Sequence, residues 1–211
     1  MTVPVPPPKT ARAGKAEPRL PIATTAPDDK SAPRRPRRYD PTRRARLIEA
    51  ALDVITEHGV AGASHRAIAR AADVPLGSTT YHFASIEDLL AAAFTELADQ
   101  VADALEERMR AAADAEAALD ALAEHLGQDL LAGNTLLLAV ELYVAAARRP
   151  ALRAVTEAWM RRSRRALELH FDPLTARELD ALVEGLVLHQ ALSIDPMPTE
   201  QLRHALHRIT H

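Results

Sequence analysis

The chain contains no cysteine among its 211 residues, so disulfides, thiolate nucleophiles and cysteine-ligated zinc are excluded. Aromatic residues are scarce at 3%, while apolar residues as a whole reach 47%. The core must therefore come from Ala, Leu and Val, a mixture that favours helix. Glycine is also sparse, at 7. No alternating run of β-branched residues stands out, so little is available to build a sheet. No apolar run approaches the roughly 18–20 residues that cross a bilayer. The first segment is proline-rich and charged and lacks the apolar core of a secretion signal. These absences point to an all-α protein, soluble and cytoplasmic, with no membrane partner. Enzymatic motifs are missing too. The chain has no GxSxG elbow, no phosphate-cradling glycine loop and no HExxH, so no catalytic residues and no cofactor are expected.

The net charge is only −3, but its distribution is uneven. Residues 1–46 carry 12 Lys and Arg against 4 Asp and Glu, and the remainder carries 14 against 25. Residues 1–39 hold 9 of the 15 prolines and few large apolar side chains. Such a segment cannot bury enough surface to offset ordering entropy, so it reads as a disordered basic tail. Its Arg34, Arg35, Arg37 and Arg38, with Arg43 and Arg44 beyond, concentrate positive charge beside the first folded segment.

That segment is the most informative in the chain. Asp40-Pro41 reads as an N-cap and first helical residue, and Leu47, Ile48, Ala51, Leu52 and Ile55 form the buried stripe of a helix that Gly59 stops. The stretch SHRAIARAADVPLGSTTYHF, Ser64 to Phe83, then reads as two short helices around a tight turn. Ser64 caps the first, and Asp73 sits where the chain reverses, a place where Asp tolerates the left-handed conformation. Pro75 suits the first turn of the second helix. Leu76, Gly77, Ser78, Thr80, Tyr81 and His82 are small, hydroxylated or aromatic, and a helix with that surface suits the major groove of DNA. Thr79 and Phe83 are expected to point inward. Ser85 then caps a fourth helix, with Asp88 three residues on.

With Ile68, Ala69, Ala72, Val74, Gly77, Tyr81-His82-Phe83, Asp88 and Leu89 at these offsets, the segment from about Thr42 to Gln100 resembles the N-terminal domain of the TetR/AcrR family of one-component transcriptional regulators. That resemblance implies an N-terminal three-helix helix-turn-helix domain over 40–95 and a C-terminal helical ligand-binding and dimerisation domain over 96–211, preceded by the tail at 1–39. It implies a homodimer that binds double-stranded operator DNA and a small-molecule effector of unknown identity, with repression favoured over activation. A ligand-independent regulator whose C-terminal lobe only dimerises stays open as the alternative. Arg66 aligns with a family position that reaches guanine. Leu76, Gly77, Tyr81 and His82 would meet bases or phosphate, and Ser64, His65, Ser78 and Thr80 would meet phosphate oxygens. Two departures remove backbone contacts that relatives make: Thr80 stands in place of a tyrosine and Ile86 in place of a lysine. Between Asp40 and Gln100 only 5 arginines face 9 acids, so the basic arm is expected to compensate, as N-terminal arms do elsewhere.

Beyond Leu105 the chain is punctuated by Gly127, Gly133-Asn134, Arg149-Pro150, Asp172-Pro173 and the prolines at 196 and 198. Helices are expected at about 116–131, 135–148, 151–170, 175–193 and 199–210. A pocket needs apolar walls with a few polar groups, and Met109, Glu141, Tyr143, Trp159 and His189 are its candidates. An ordinary buried helix face competes for Trp159, and a packed helix for His189. His204, His207 and His211 share one side of the last helix without a fourth ligand, so no metal site is expected.

Overall fold

In the computed structural model, residues 42–130 and 133–210 are described; the tail, with Arg34, Arg35, Arg37 and Arg38, and the Asp40-Pro41 start lie outside them. Every regular element among the described residues is helical. The order is α1 (Arg43–Gly62), α2 (His65–Ala71), α3 (Leu76–His82), α4 (Ile86–Ala111) and α5 (Ala115–His125), a π-helical turn (Leu126–Leu130), then α6 (Thr135–Ala146), α7 (Pro150–Leu167), α8 (Pro173–Leu192) and α9 (Thr199–Thr210).

Local chemistry sets the ends of these helices. In α1 the helical dihedrals break at Gly59, whose φ of 66° only glycine adopts freely. Ser64 Oγ accepts the Ala67 N–H at 3.2 Å and opens α2. Asp114 does the same for α5 with Ala117, at 2.9 Å. At α4 the capping box closes both ways, since Ser85 Oγ accepts from Asp88 N at 3.1 Å and Asp88 Oδ2 from Ser85 N at 3.0 Å. Pro150 and Pro173 sit in the first turns of α7 and α8, where their missing N–H is not needed.

The turn between α2 and α3 is a Schellman motif. Val74 N donates to Ala69 O at 3.0 Å and Asp73 N to Arg70 O at 3.2 Å, with Asp73 held at φ 50°. From α1, an Arg46 Nη2 donates to Ala72 O at 2.7 Å and ties this corner down. Val74 packs on the core below.

Three apolar clusters lie beneath. One joins α1, α2 and α4 through Leu47, Ala51, Val54, Ile68, Phe83 and Leu89. A second joins α1, α4, α6 and α7 through Ile55, Phe94, Leu142, Leu152 and Trp159. The third joins α5, α7, α8 and α9 to the end of α4 through Leu122, Leu167, Leu179, Leu206 and Met109. Helix α4 contributes to all three and runs unbroken through residues 95 and 96, where a division between domains is expected from the sequence. Its apolar periodicity simply continues past Leu97 to Leu105 and Met109.

Asp73 generates a prediction. A left-handed conformation costs an L-residue roughly 1–2 kcal/mol, whereas glycine adds about 0.4–1 kcal/mol of unfolded-state entropy. Asp73→Gly is therefore expected to stabilise the protein by roughly 0.5 kcal/mol. Urea unfolding followed by far-UV circular dichroism should show a higher midpoint at unchanged slope.

Candidate functional site

The helical period sorts α3 into two faces. Leu76, Gly77, Thr80 and Tyr81 project outward, with Tyr81 78% exposed and Leu76 47%. Thr79 and Phe83 turn inward; Thr79 Oγ1 donates to Leu76 O at 2.7 Å. Ser78, expected at a phosphate, is turned inward with Thr79 and is 9% exposed. It lies about 100° around the helix from Gly77, off the outward face. His82 is half-buried and meets the Tyr81 ring edge-on at 5.0 Å between centroids. Arg66 and Ser64 are exposed at the start of α2, where His65 is half-buried and Ser64 Oγ is already engaged as the cap. Arg44 lies over the Phe83 ring at 5.3 Å, and Arg43 is half-buried beside it in sequence. Ile86, in the first turn of α4, packs on the apolar clusters to either side of that helix.

Open space surrounds Gly77. A Cβ placed there meets nothing within 4 Å. Among the described residues, the outer face of the corner is thus free of intramolecular packing at Gly77.

The C-terminal half encloses a cavity of about 240 Å³ between α6, α7 and α8, with Leu130 of the π-helical turn at one side. Its walls include Leu136, Val140, Val187, Tyr143, Trp159 and Glu184. Tyr143 and Trp159 stack nearly parallel, with centroids 6.1 Å apart and planes 16° off. The Tyr143 hydroxyl donates to Glu184 Oε1 at 2.6 Å. A smaller recess shares Trp159, Leu130 and Glu184 and adds Asp180, Ser163 and His125.

Of the residues named from sequence, Tyr143 and Trp159 line this cavity, and three do not. Met109 is fully buried, but one helical stretch too far along α4, in the core with α5 and α9. Glu141 turns the other way and accepts the Val60 N–H at 2.8 Å. His189 is exposed on α8, while its neighbour Gln190 pairs with the Met197 backbone across the link to α9. Glu184 and Asp180 escape a sequence reading because single acids in a helix usually mark a solvated face. Their i,i+4 spacing is the one available signal.

Burial dominates the electrostatics here. It pushes the Glu184 carboxyl above its ordinary range, against the opposing Tyr143 hydrogen bond. Asp180 is raised to about 6, first by burial and then by Glu184, with Arg164 and Arg177 pulling the other way. The Tyr143 phenol is pushed up by burial and by Glu184, so it remains a donor. Across the molecule Arg162 reaches from α7 to three acids of α4, at 2.9 Å from Asp99 and 3.3 Å from Glu106, with Asp103 also paired. The Asp103 hydrogen bond leads in raising its pKa.

Comparison with known proteins adds a lineage to this geometry. Residues 47–93 match the family model described as bacterial regulatory proteins of the tetR family, and residues 113–211 match the tetracyclin repressor-like C-terminal domain. The regulator BetI of Cronobacter sakazakii is 31% identical over 174 residues, spanning 77% of this chain and 86% of BetI. SCO7518 from Streptomyces coelicolor A3(2), a protein assigned to transcriptional regulation, is 49% identical with a TM-score of 0.77, covering 81% of this chain and 99% of its own. The chain belongs to the TetR family.

A TetR-family protein of this kind is a DNA-binding transcriptional regulator and not an enzyme. Among its solved relatives is the multidrug binding protein EbrR, 43% identical in its complex with ethidium, at a TM-score of 0.70 over 79% of this chain and 98% of EbrR. EbrR has also been solved with malachite green.

The raised acid of α8 gives this TetR-family chain a pH dependence. Because Asp180 holds its proton up to about pH 6 when folded, against 3.8 ordinarily, the folded state loses relative stability as pH rises between those values. In Asp180→Asn that loss disappears. Melting temperatures across pH 4–7 should fall less steeply for the variant, and the variant should melt higher above pH 6.

Proposed function

We propose that this protein is a homodimeric repressor that leaves a palindromic operator when a flat organic cation enters the cavity between α6, α7 and α8. The observation that carries the ligand class is the lining. Two stacked rings line it, the hydroxyl of one donates to the half-buried Glu184 carboxyl, and no lysine or arginine lines the main cavity among the described residues. Aromatic faces and a desolvated carboxylate both favour cations. The relation to EbrR, solved with ethidium and malachite green, supports the same class, since both dyes are organic cations.

The DNA end rests on the outward face of α3. Leu76, Gly77, Thr80 and Tyr81 approach the groove, with Arg66 to a base edge and Ser64, His65 and His82 toward the backbone. Arg43 and Arg44 supply charge, and the tail arginines supply more. Dimerisation rests on α8, where Leu174, Ala181, Gly185, Leu188 and Leu192 are exposed along one side. Two copies joined there present two recognition helices, which must match half-sites about 34 Å apart. A ligand that prefers a conformer with another spacing releases the operator by population shift. Operator binding places this activity in the cytoplasm.

Titration of a fluorescent fragment from the gene's own upstream region, with and without ethidium, tests the reading. Ethidium is expected to weaken operator binding at least about tenfold; no change would favour the ligand-independent alternative. Replacing Arg66 by Ala should cost roughly 1–3 kcal/mol and relax specificity at one base pair. Removing residues 1–38 should flatten the dependence of affinity on salt, by about one unit of slope for each phosphate that the arm neutralises.

At the ligand end, Glu184→Gln should weaken ethidium binding by about tenfold or more at pH 7.5, because the charge-assisted interaction is gone. Wild-type affinity should rise with pH as Glu184 gives up its raised proton, and Glu184→Gln should not follow. Fluorescence titration at several pH values checks both.

A further inference from the structure

The break in α1 leaves a problem of backbone chemistry. Gly59, at φ 66° and ψ 173°, carries the chain out of the helix, so the following N–H cannot continue the helical ladder. Glu141, in the middle of α6 and 81 positions away, accepts that N–H from Val60 through Oε2 at 2.8 Å. The approach is close. A Cβ on Gly59 would lie 3.2 Å from Glu141 Oε1 and 3.3 Å from Oε2. Glycine is therefore required here twice, for its dihedral and for the space the carboxylate occupies.

Helix α6 faces two ways at this level. Ala139, Val140 and Tyr143 line the cavity, and Glu141 between them reaches α1. On the DNA side only Gly62 and two neighbours separate Val60 from Ser64, the cap that opens α2. A charged acceptor on a backbone N–H is a strong, directional contact. It fixes where the corner begins relative to the cavity wall.

We propose that Glu141 is the coupling residue of this regulator, a carboxylate latch on the Gly59–Val60 kink that holds the helix-turn-helix in its operator-binding position and is released when α6 moves around a bound ligand. The proposal rests on the ligand-dependent release argued above and names its transmission. Glu141 is absent from the cavity lining, so losing the latch lowers the operator affinity of the ligand-free protein toward its liganded value, which shrinks the ratio of the two affinities while ligand contacts are kept.

The experiment measures that ratio with ethidium as the probe and the upstream fragment as the operator, in the full-length protein. Glu141→Ala and Gly59→Ala are each expected to keep ethidium affinity within about threefold, yet to lose at least about tenfold of the coupling ratio. The double variant should lose no more than either single one, because both remove the same hydrogen bond. Glu141→Gln keeps an acceptor oxygen and is expected to restore most of the ratio. A ratio unchanged within about twofold in a folded Glu141→Ala protein overturns the latch and leaves ligand release standing. A wild-type protein whose operator binding ignores ethidium overturns the release itself, and the latch with it. Should the alanine variants melt, amide exchange at Val60 in the wild-type protein decides. Exchange should speed up at least about fivefold when ethidium binds, and an unchanged rate overturns the proposal.

Discussion

What α4 buries along its length constrains the rest of the described chain. Leu89 and Ala93 pack under the helix-turn-helix, Leu90, Phe94, Leu97 and Ala102 pack with α6 and α7, and Leu105 and Met109 pack with α5 and α9. At 26 residues and about 1.5 Å of rise each, this one element extends for roughly 39 Å. Close-packed cores have few intermediate arrangements. Three of them threaded on a single helix cannot rearrange independently, and this gives physical content to the idea that a cavity among α6, α7 and α8 bears on a surface at α3.

Charge is distributed economically around this frame. Of the arginines nearest the corner, Arg46 closes the α2–α3 turn and Arg44 lies on Phe83, so both first serve the architecture. The outward face of α3 is neutral, made of Leu76, Gly77, Thr80 and Tyr81. Affinity for a polyanion must then draw on cations placed around the corner and before it. The cavity shows the opposite economy. Its carboxyl group is largely desolvated and meets a phenol rather than a base, an arrangement that is costly by itself.

The corner was legible from sequence because its signals are local. Ser64, Asp73, Pro75 and Ser85 each act within four residues, and capping chemistry announces itself at that range. The inward turn of Ser78 was missed because a serine among hydroxylated residues looks like surface, and only the packing of α3 on the rest of the corner decides it. The cavity was half legible. Tyr143 and Trp159 stand out as scarce aromatics, but Glu184 reads as one acid of a solvated helix until α6 is laid against α8. Glu141 illustrates the limit most clearly: a charge within the apolar run of α6 signals a buried partner without naming it, and the partner proved to be a backbone N–H 81 positions away. The π-helical turn at Leu126–Leu130 has no composition that marks it.

The grip of Arg162 on Asp99, Asp103 and Glu106 gives the long helix a fulcrum. From Asp99 to Ile86 is thirteen residues, a lever arm of roughly 20 Å. A tilt of about 5° at that pivot sweeps the far end through nearly 2 Å, comparable to the helix shifts that reset subunit interfaces. The same guanidinium binds α4 to α7, the helix that carries Trp159 into the cavity wall, so the two helices are fastened at mid-length and the Ile86 end of α4 is the part left with the longest reach.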